Sequence, residues 1–125
     1  MNVLHSAEAP KAIGPYSQAV QVGNLIFCSG QTPIDPQTME LEGKNVEEQT
    51  ERVLSNLSLV LKSRGLTLSN VIKANVFLIS MKDFAAMNKV YEASFGDHRP
   101  ARTTVQVSGL PMNALVEIEC IAEIP

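Results

Sequence analysis

The chain has 125 residues, 45% of them apolar and 18% charged, which fits one ordinary globular domain spanning residues 1–125 rather than a disordered protein. Its net charge of −3 and its ten dispersed Lys and Arg residues argue against nucleic acid as a partner, which would call for a basic patch or stripe. No apolar run approaches the roughly 20 residues that span a bilayer, and Met1-Asn-Val-Leu-His lacks the basic start and apolar segment of a secretory signal, so the cytoplasm is the expected location. Cys28 and Cys120 have no Cys-x-x-Cys spacing and read as two buried thiols in a reducing compartment.

In chain order, a short strand near Val3 to His5 is followed by a hairpin over Ser17 to Gly30, with its turn at Gly23-Asn24. Pro33, Asp35, Pro36 and Gly43 mark a loop. Asn45, three residues before Glu48, forms a capping-box variant; Val46, Val53, Leu57, Val60 and Leu61 then recur at helical spacing until Gly65. Val71 to Ile79 is short and β-branched, hence a strand. A second helix runs from about Asp83 to Phe95, with Phe84, Met87, Tyr91 and Phe95 as a core-packing stripe. Strands over Arg102 to Ser108 and Leu115 to Ile124, joined by a turn at Leu110-Pro-Met-Asn, complete an α/β fold of about six strands.

Two helices cover one face of such a sheet, and the other face meets water or a second copy of the chain. Alternation puts Val116, Ile118, Cys120, Ala122 and Ile124 under the helices, with Leu115, Glu117, Glu119, Ile121 and Glu123 on the other side. The same rule puts Thr103, Val105 and Val107 under the helices and Arg102, Thr104, Gln106 and Ser108 opposite. If Val105 pairs with Ile118, Gln106 faces Glu117 and Thr104 faces Glu119. A mixed apolar and charged face of this kind suits an oligomer surface that contains a site.

Arg102 is the first candidate for chemistry, because a guanidinium offers two parallel donors that match a carboxylate, and Pro100-Ala101 stiffens its approach. A plain interface salt bridge explains the same residue. A glutamate at Glu117 or Glu119 can hold a water by accepting its proton, or can simply be a solvated strand residue. Tyr16 follows a rigid Gly-Pro turn, Ser29-Gly30 lets a ligand approach the backbone, and Asn88 interrupts the apolar side of the second helix. Each also has a bland structural role open to it. Phosphate-loop, dinucleotide and nucleophile-elbow motifs are missing, and His5 and His98 lack ligand spacing, so the expected site uses neither metal nor cofactor.

Five segments together resemble the Rid (YjgF) family of reactive intermediate deaminases, RidA subgroup. They are Ala12-Ile-Gly-Pro-Tyr-Ser-Gln-Ala, Phe27-Cys-Ser-Gly-Gln-Thr-Pro, Lys73-Ala-Asn-Val-Phe-Leu, Met87-Asn-Lys-Val-Tyr-Glu, and Arg99-Pro-Ala-Arg with Val116-Glu-Ile-Glu-Cys-Ile-Ala. The resemblance implies a six-stranded mixed sheet backed by two helices, similar to bacillary chorismate mutase. It further implies a homotrimer with sites between subunits and cofactor-free hydrolysis of 2-imino acids to 2-keto acids and ammonia. Carried onto this chain, Arg102 would bind the substrate carboxylate and Glu117 would position the water. Tyr16, Ser29, Gly30, Asn88 and Thr104 would line the pocket. Relatives often carry cysteine where Thr104 stands, so no thiol chemistry is expected, and the short segment Gly96-Asp-His-Arg-Pro adds Arg99 near the site. A non-catalytic carboxylate-binding regulator and a ribonuclease acting as a translation inhibitor are the alternative readings.

Overall fold

A computed structural model describes residues 1–125. The strands are β1 (Asn2–Leu4), β2 (Ala19–Val22), β3 (Leu25–Gln31), β4 (Val71–Leu78), β5 (Ala101–Gln106) and β6 (Val116–Glu123). The helices are α1 (Val46–Lys62) and α2 (Phe84–Phe95). No helix is long and apolar enough to cross a membrane. The strands form one six-stranded mixed sheet in the order β1-β2-β3-β6-β4-β5, antiparallel throughout except for the β4–β5 pair.

This order explains why one face stays uncovered. β3 and β4 both run antiparallel to β6, so they are parallel to each other, and α1 is the crossover between them; α2 is the crossover from β4 to β5. Both crossovers step in the same direction along the sheet. Crossovers of one hand moving one way place both helices on the same side.

α1 begins as its sequence requires. Asn45 Oδ1 accepts from the Glu48 backbone N–H at 2.9 Å, while Glu48 Oε1 accepts from the Lys44 N–H rather than from that of Asn45, a capping box displaced by one residue. Val53, Leu54, Leu57, Val60 and Leu61 are buried against the sheet, each contributing about 1.5–3 kcal/mol of apolar transfer. Gly65 at φ +75° turns the chain back, and Leu66 N–H donates to Leu61 O. The hairpin turn likewise uses Gly23 at φ +60°.

The helix-facing side of the sheet carries Ala74, Val76 and Leu78 of β4 and Val116, Ile118, Cys120 and Ala122 of β6, as alternation indicates for β6. Cys28 and Cys120 are cross-strand partners here, both free and buried. Their mutual hydrogen bond, together with burial, pushes the Cys120 thiol well above its ordinary range.

The sequence expectations fail in the last third of the sheet. β5 and β6 do not pair: β4 lies between them, so the Val105–Ile118 register does not form and neither Gln106 nor Thr104 faces a glutamate across it. The faces of β5 are also reversed. Arg102 and Thr104 register with Ala74 and Val76 on the helix side, while Thr103 and Val105 register with Asn75 and Phe77 on the open side. An edge strand that covers charged and polar groups with one helix gives no apolar stripe from which to read its inner face. Leu115 lies before β6 begins and packs against the core rather than on the charged face.

The long loop between β3 and α1 is held by two buried amides of α1, Gln49, which donates to Gly43 O at 3.2 Å, and Asn56. Asn56 of α1, fully buried, donates from Nδ2 to Thr32 O at 3.2 Å and to Ile34 O at 2.9 Å, and its Oδ1 accepts from Arg52 Nε. Thr32 O keeps the Ile34 N–H as a donor at 2.8 Å, so Asn56→Ala leaves the Ile34 carbonyl without one and is expected to cost about 2 kcal/mol. Urea unfolding at fixed protein concentration measures that loss.

Candidate active site

Arg102 projects from the edge strand β5 toward α2. Its Nη1 donates to Asn88 Oδ1 at 2.6 Å, and its guanidinium carbon lies 4.7 Å from the Tyr91 ring centroid and 5.5 Å from that of Phe84. Tyr91 is itself fixed by stacking on Phe95 with centroids 4.4 Å apart. The ion pairs of the chain are Arg52–Glu42 and Lys62–Glu8, so Arg102 is oriented by neutral groups and no carboxylate oxygen lies within 4.0 Å of its guanidinium nitrogens. A cleft of about 340 Å³ opens here, lined by Asn88, Tyr91, Glu92, Arg99, Pro100 and Arg102. Two residues along β5 from Arg102, Thr104 has a buried hydroxyl with no hydrogen-bond partner, as does Tyr91. Burial raises the Tyr91 phenol above its ordinary value, opposed by the positive charge of Arg102.

Glu117 lies on the other side of the sheet, level with Phe77 of β4. It is half-buried, and its carboxyl is raised above the ordinary range, first by burial and then by the neighbouring charge of Glu119. Gly30 makes room for it: a Cβ there would stand 3.0 Å from Glu117 Cδ, tighter than an ordinary van der Waals contact. Gly30 sits in an irregularity of the β3–β6 ladder between Cys28 and Gln31, which frees this stretch from strict alternation. Ser29 ties the same stretch to the preceding loop, donating from Oγ to Ser17 O at 2.6 Å and from its backbone N–H to Gln18 O at 2.9 Å. Tyr16 is 48% exposed, and its hydroxyl accepts from the Ile13 N–H at 3.4 Å. A second cleft of about 280 Å³ is lined by Lys11, Ile13, Tyr16, Gly30, Pro111 and Glu117, among others. Glu119 is on the same face as Glu117, beside Asn75.

Thus the seven candidate residues fall into two groups within one chain. Arg102 and Asn88 line the helix-side cleft at the sheet edge, with Thr104 on the same face of β5; Tyr16, Gly30 and Glu117 line the open-face cleft, with Ser29 next to Gly30 but not in its lining. Phe84 and Tyr91 hold the guanidinium as well as packing the core, a role the apolar stripe conceals. Their spacing from Asn88, four residues before and three after, does place all three on one helix face. No three His, Cys, Asp or Glu side chains gather to hold a metal ion.

Residues 6–124 match the family model described as Endoribonuclease L-PSP. A RutC family protein of Pyrococcus abyssi is 49% identical over 96% of this chain and 94% of its own length. Reactive Intermediate Deaminase A of the Arabidopsis thaliana chloroplast is 44% identical over 96% of this chain and 64% of that protein. Among solved structures, RidA from an Antarctic Psychrobacter superimposes with a TM-score of 0.95 at 42% identity, over 99% of this chain and 100% of that one. Escherichia coli TdcF with bound serine gives 0.94 at 38% identity, over the full length of both chains. With a family model matched over residues 6–124, relatives aligned over nearly the whole chain and folds that superimpose at TM-scores of 0.94 and 0.95, this chain belongs to the Rid (YjgF) family, described also as Endoribonuclease L-PSP.

Proposed function

We propose that this chain hydrolyses reactive 2-imino acids to 2-keto acids and ammonia, at sites completed between copies of a homotrimer. The observation that carries the reading is a guanidinium locked in place by neutral partners, with no carboxylate of its own chain to neutralise it. Such a group suits the clamping of a carboxylate. The name of the Arabidopsis relative and the serine bound by TdcF support a small α-carboxylate as its ligand.

With Nη1 committed to Asn88, the Nε and Nη2 edge of Arg102 is free to take a carboxylate in two parallel hydrogen bonds. The Thr104 hydroxyl adds a donor without an internal partner. Glu117 and Arg102 emerge from opposite sides of the sheet, so a substrate gripped by Arg102 meets the Glu117 of a neighbouring copy, together with its Tyr16, Ser29 and Gly30. The iminium carbon is already electrophilic and needs no metal or covalent nucleophile, only orientation and an aimed water. Glu117 accepts a proton from that water as its oxygen bonds to C2 and the C=N π pair moves to nitrogen. Glu117 returns that proton to the nitrogen, the C–N bond breaks to release ammonia, and the hydroxyl gives its own proton through Glu117 to the ammonia as it becomes the ketone. The sum is C=NH2⁺ plus water giving C=O plus NH4⁺.

The description of the family as an endoribonuclease is the competing reading. An acidic chain with His5 and His98 far apart in sequence supplies neither a basic track nor a general-base pair for RNA cleavage.

A coupled assay tests the proposal. A pyridoxal phosphate-dependent threonine dehydratase generates the imine, and release of keto acid is followed with and without this protein. Wild type is expected to accelerate release and Arg102→Ala to lose at least a hundredfold in kcat/KM. Glu117→Gln is expected to lower kcat more than it raises KM. Binding of keto acid without acceleration would instead mark a carboxylate-sensing protein.

The pH profile carries a second expectation. Only ionised Glu117 accepts the proton of water, and its raised pKa moves the acid limb of kcat above the ordinary carboxylate range. The rate is therefore expected to fall as pH drops through that raised value, and Glu117→Gln to flatten the limb. A limb left in place in Glu117→Gln would assign it to another group.

A further inference from the structure

The Arg102 cleft contains a second fixed cation. Arg99 lines the same cleft, on the loop between α2 and β5, and this loop is anchored rather than loose. Gly96 turns it at φ +63°, the His98 N–H donates to Phe95 O, and His98 Nε2 is 2.6 Å from Val71 O, which fixes a proton on that nitrogen. Arg99 Nη1 donates to Gly96 O and, at 3.1 Å, to His98 O, while Pro100 restricts the backbone of Arg99 before it. Arg99, like Arg102, is thus held by neutral carbonyl oxygens and paired with no carboxylate. Glu92 and Asp97 are the acidic groups at this rim, and neither lies within 4.0 Å of an arginine nitrogen. The Tyr91 phenol feels the positive charge of both guanidiniums.

A monocarboxylate occupies one guanidinium and leaves the other unused. We infer that the cleft selects 2-imino and 2-oxo acids bearing a second carboxylate on the side chain, with Arg102 taking the α-carboxylate and Arg99 the distal one. A planar carboxylate matches either guanidinium fork. Because Arg99 is exposed, the gain is modest and salt-dependent. The inference takes its chemistry from the deaminase reading, but its binding selectivity is measurable without turnover.

Isothermal titration of the assembled protein with 2-oxoglutarate and 2-oxobutanoate is the test, using wild type, Arg99→Gln and Arg99→Lys at low and high salt. Wild type is expected to bind the dicarboxylate about fivefold more tightly at low salt. That ratio should fall to about one in Arg99→Gln, survive in part in Arg99→Lys, and shrink as salt rises. Equal affinities in wild type, binding of neither acid, or a ratio untouched by Arg99→Gln would overturn the inference. A preference erased by Arg99→Gln, with neither class of imine hydrolysed faster, would support the dicarboxylate cleft and overturn the deaminase reading.

Discussion

β4 runs parallel to β5 and antiparallel to β6, and this insertion sets the side on which every charged group of the sheet emerges. Ala74 is level with Arg102 on one edge and with Cys120 on the other, so Arg102 must look toward the helices. Phe77 is level with Glu117, so that carboxyl must look away from them. The two crossovers that feed β4 and β5 step the same way along the sheet, which puts both helices on the Arg102 side and leaves Glu117 on an uncovered surface. Topology, more than any local motif, separates Arg102 from Glu117 within the chain.

Each half is prepared in its own way. Arg102 is immobilised by an amide oxygen and aromatic faces, partners that fix direction without cancelling charge. Glu117 is half-buried beside Glu119, an environment that favours the protonated carboxyl and makes its ionised form a stronger base than a surface glutamate. Gly30 gives that carboxyl its space, and Ser29 spends its hydroxyl fastening the surrounding backbone. The open face around Glu117 also exposes apolar groups, with Phe27 and Val105 each 41% accessible, so a second copy would bury hydrophobic surface as it brings the halves together.

Much of the fold is legible because local rules act alone there. Asn45 and Gly65 bracket α1, Gly23 turns the hairpin, and strict alternation from Val116 to Ala122 gives the faces of β6. The residues that match the family signature, expected to line one pocket, fall in two places within the chain: Arg102 and Asn88 in one cleft, Tyr16, Gly30 and Glu117 in another. What escapes the sequence is long-range. A strand brought in from Val71–Leu78 between two strands that look like a hairpin has no local signal. The inner face of β5 is polar, so Arg102 and Thr104 read as outward. Phe84 and Tyr91 pack the core and grip a guanidinium at once, and apolar spacing reports only the packing.

The central claim is that one working site takes its arginine from one chain and its glutamate from another. Subunit complementation tests it most directly: Arg102→Ala and Glu117→Gln chains are unfolded, mixed in equal amounts and refolded, and imine hydrolysis is compared with each variant refolded alone. In a mixed cyclic trimer, chance assembly rebuilds both intact partners at about a quarter of the sites, so about a quarter of the wild-type rate is expected from the mixture. A mixture that forms heteromers yet stays at the mean of the two variants would contradict the account, because it would place arginine and glutamate of a working site in the same chain.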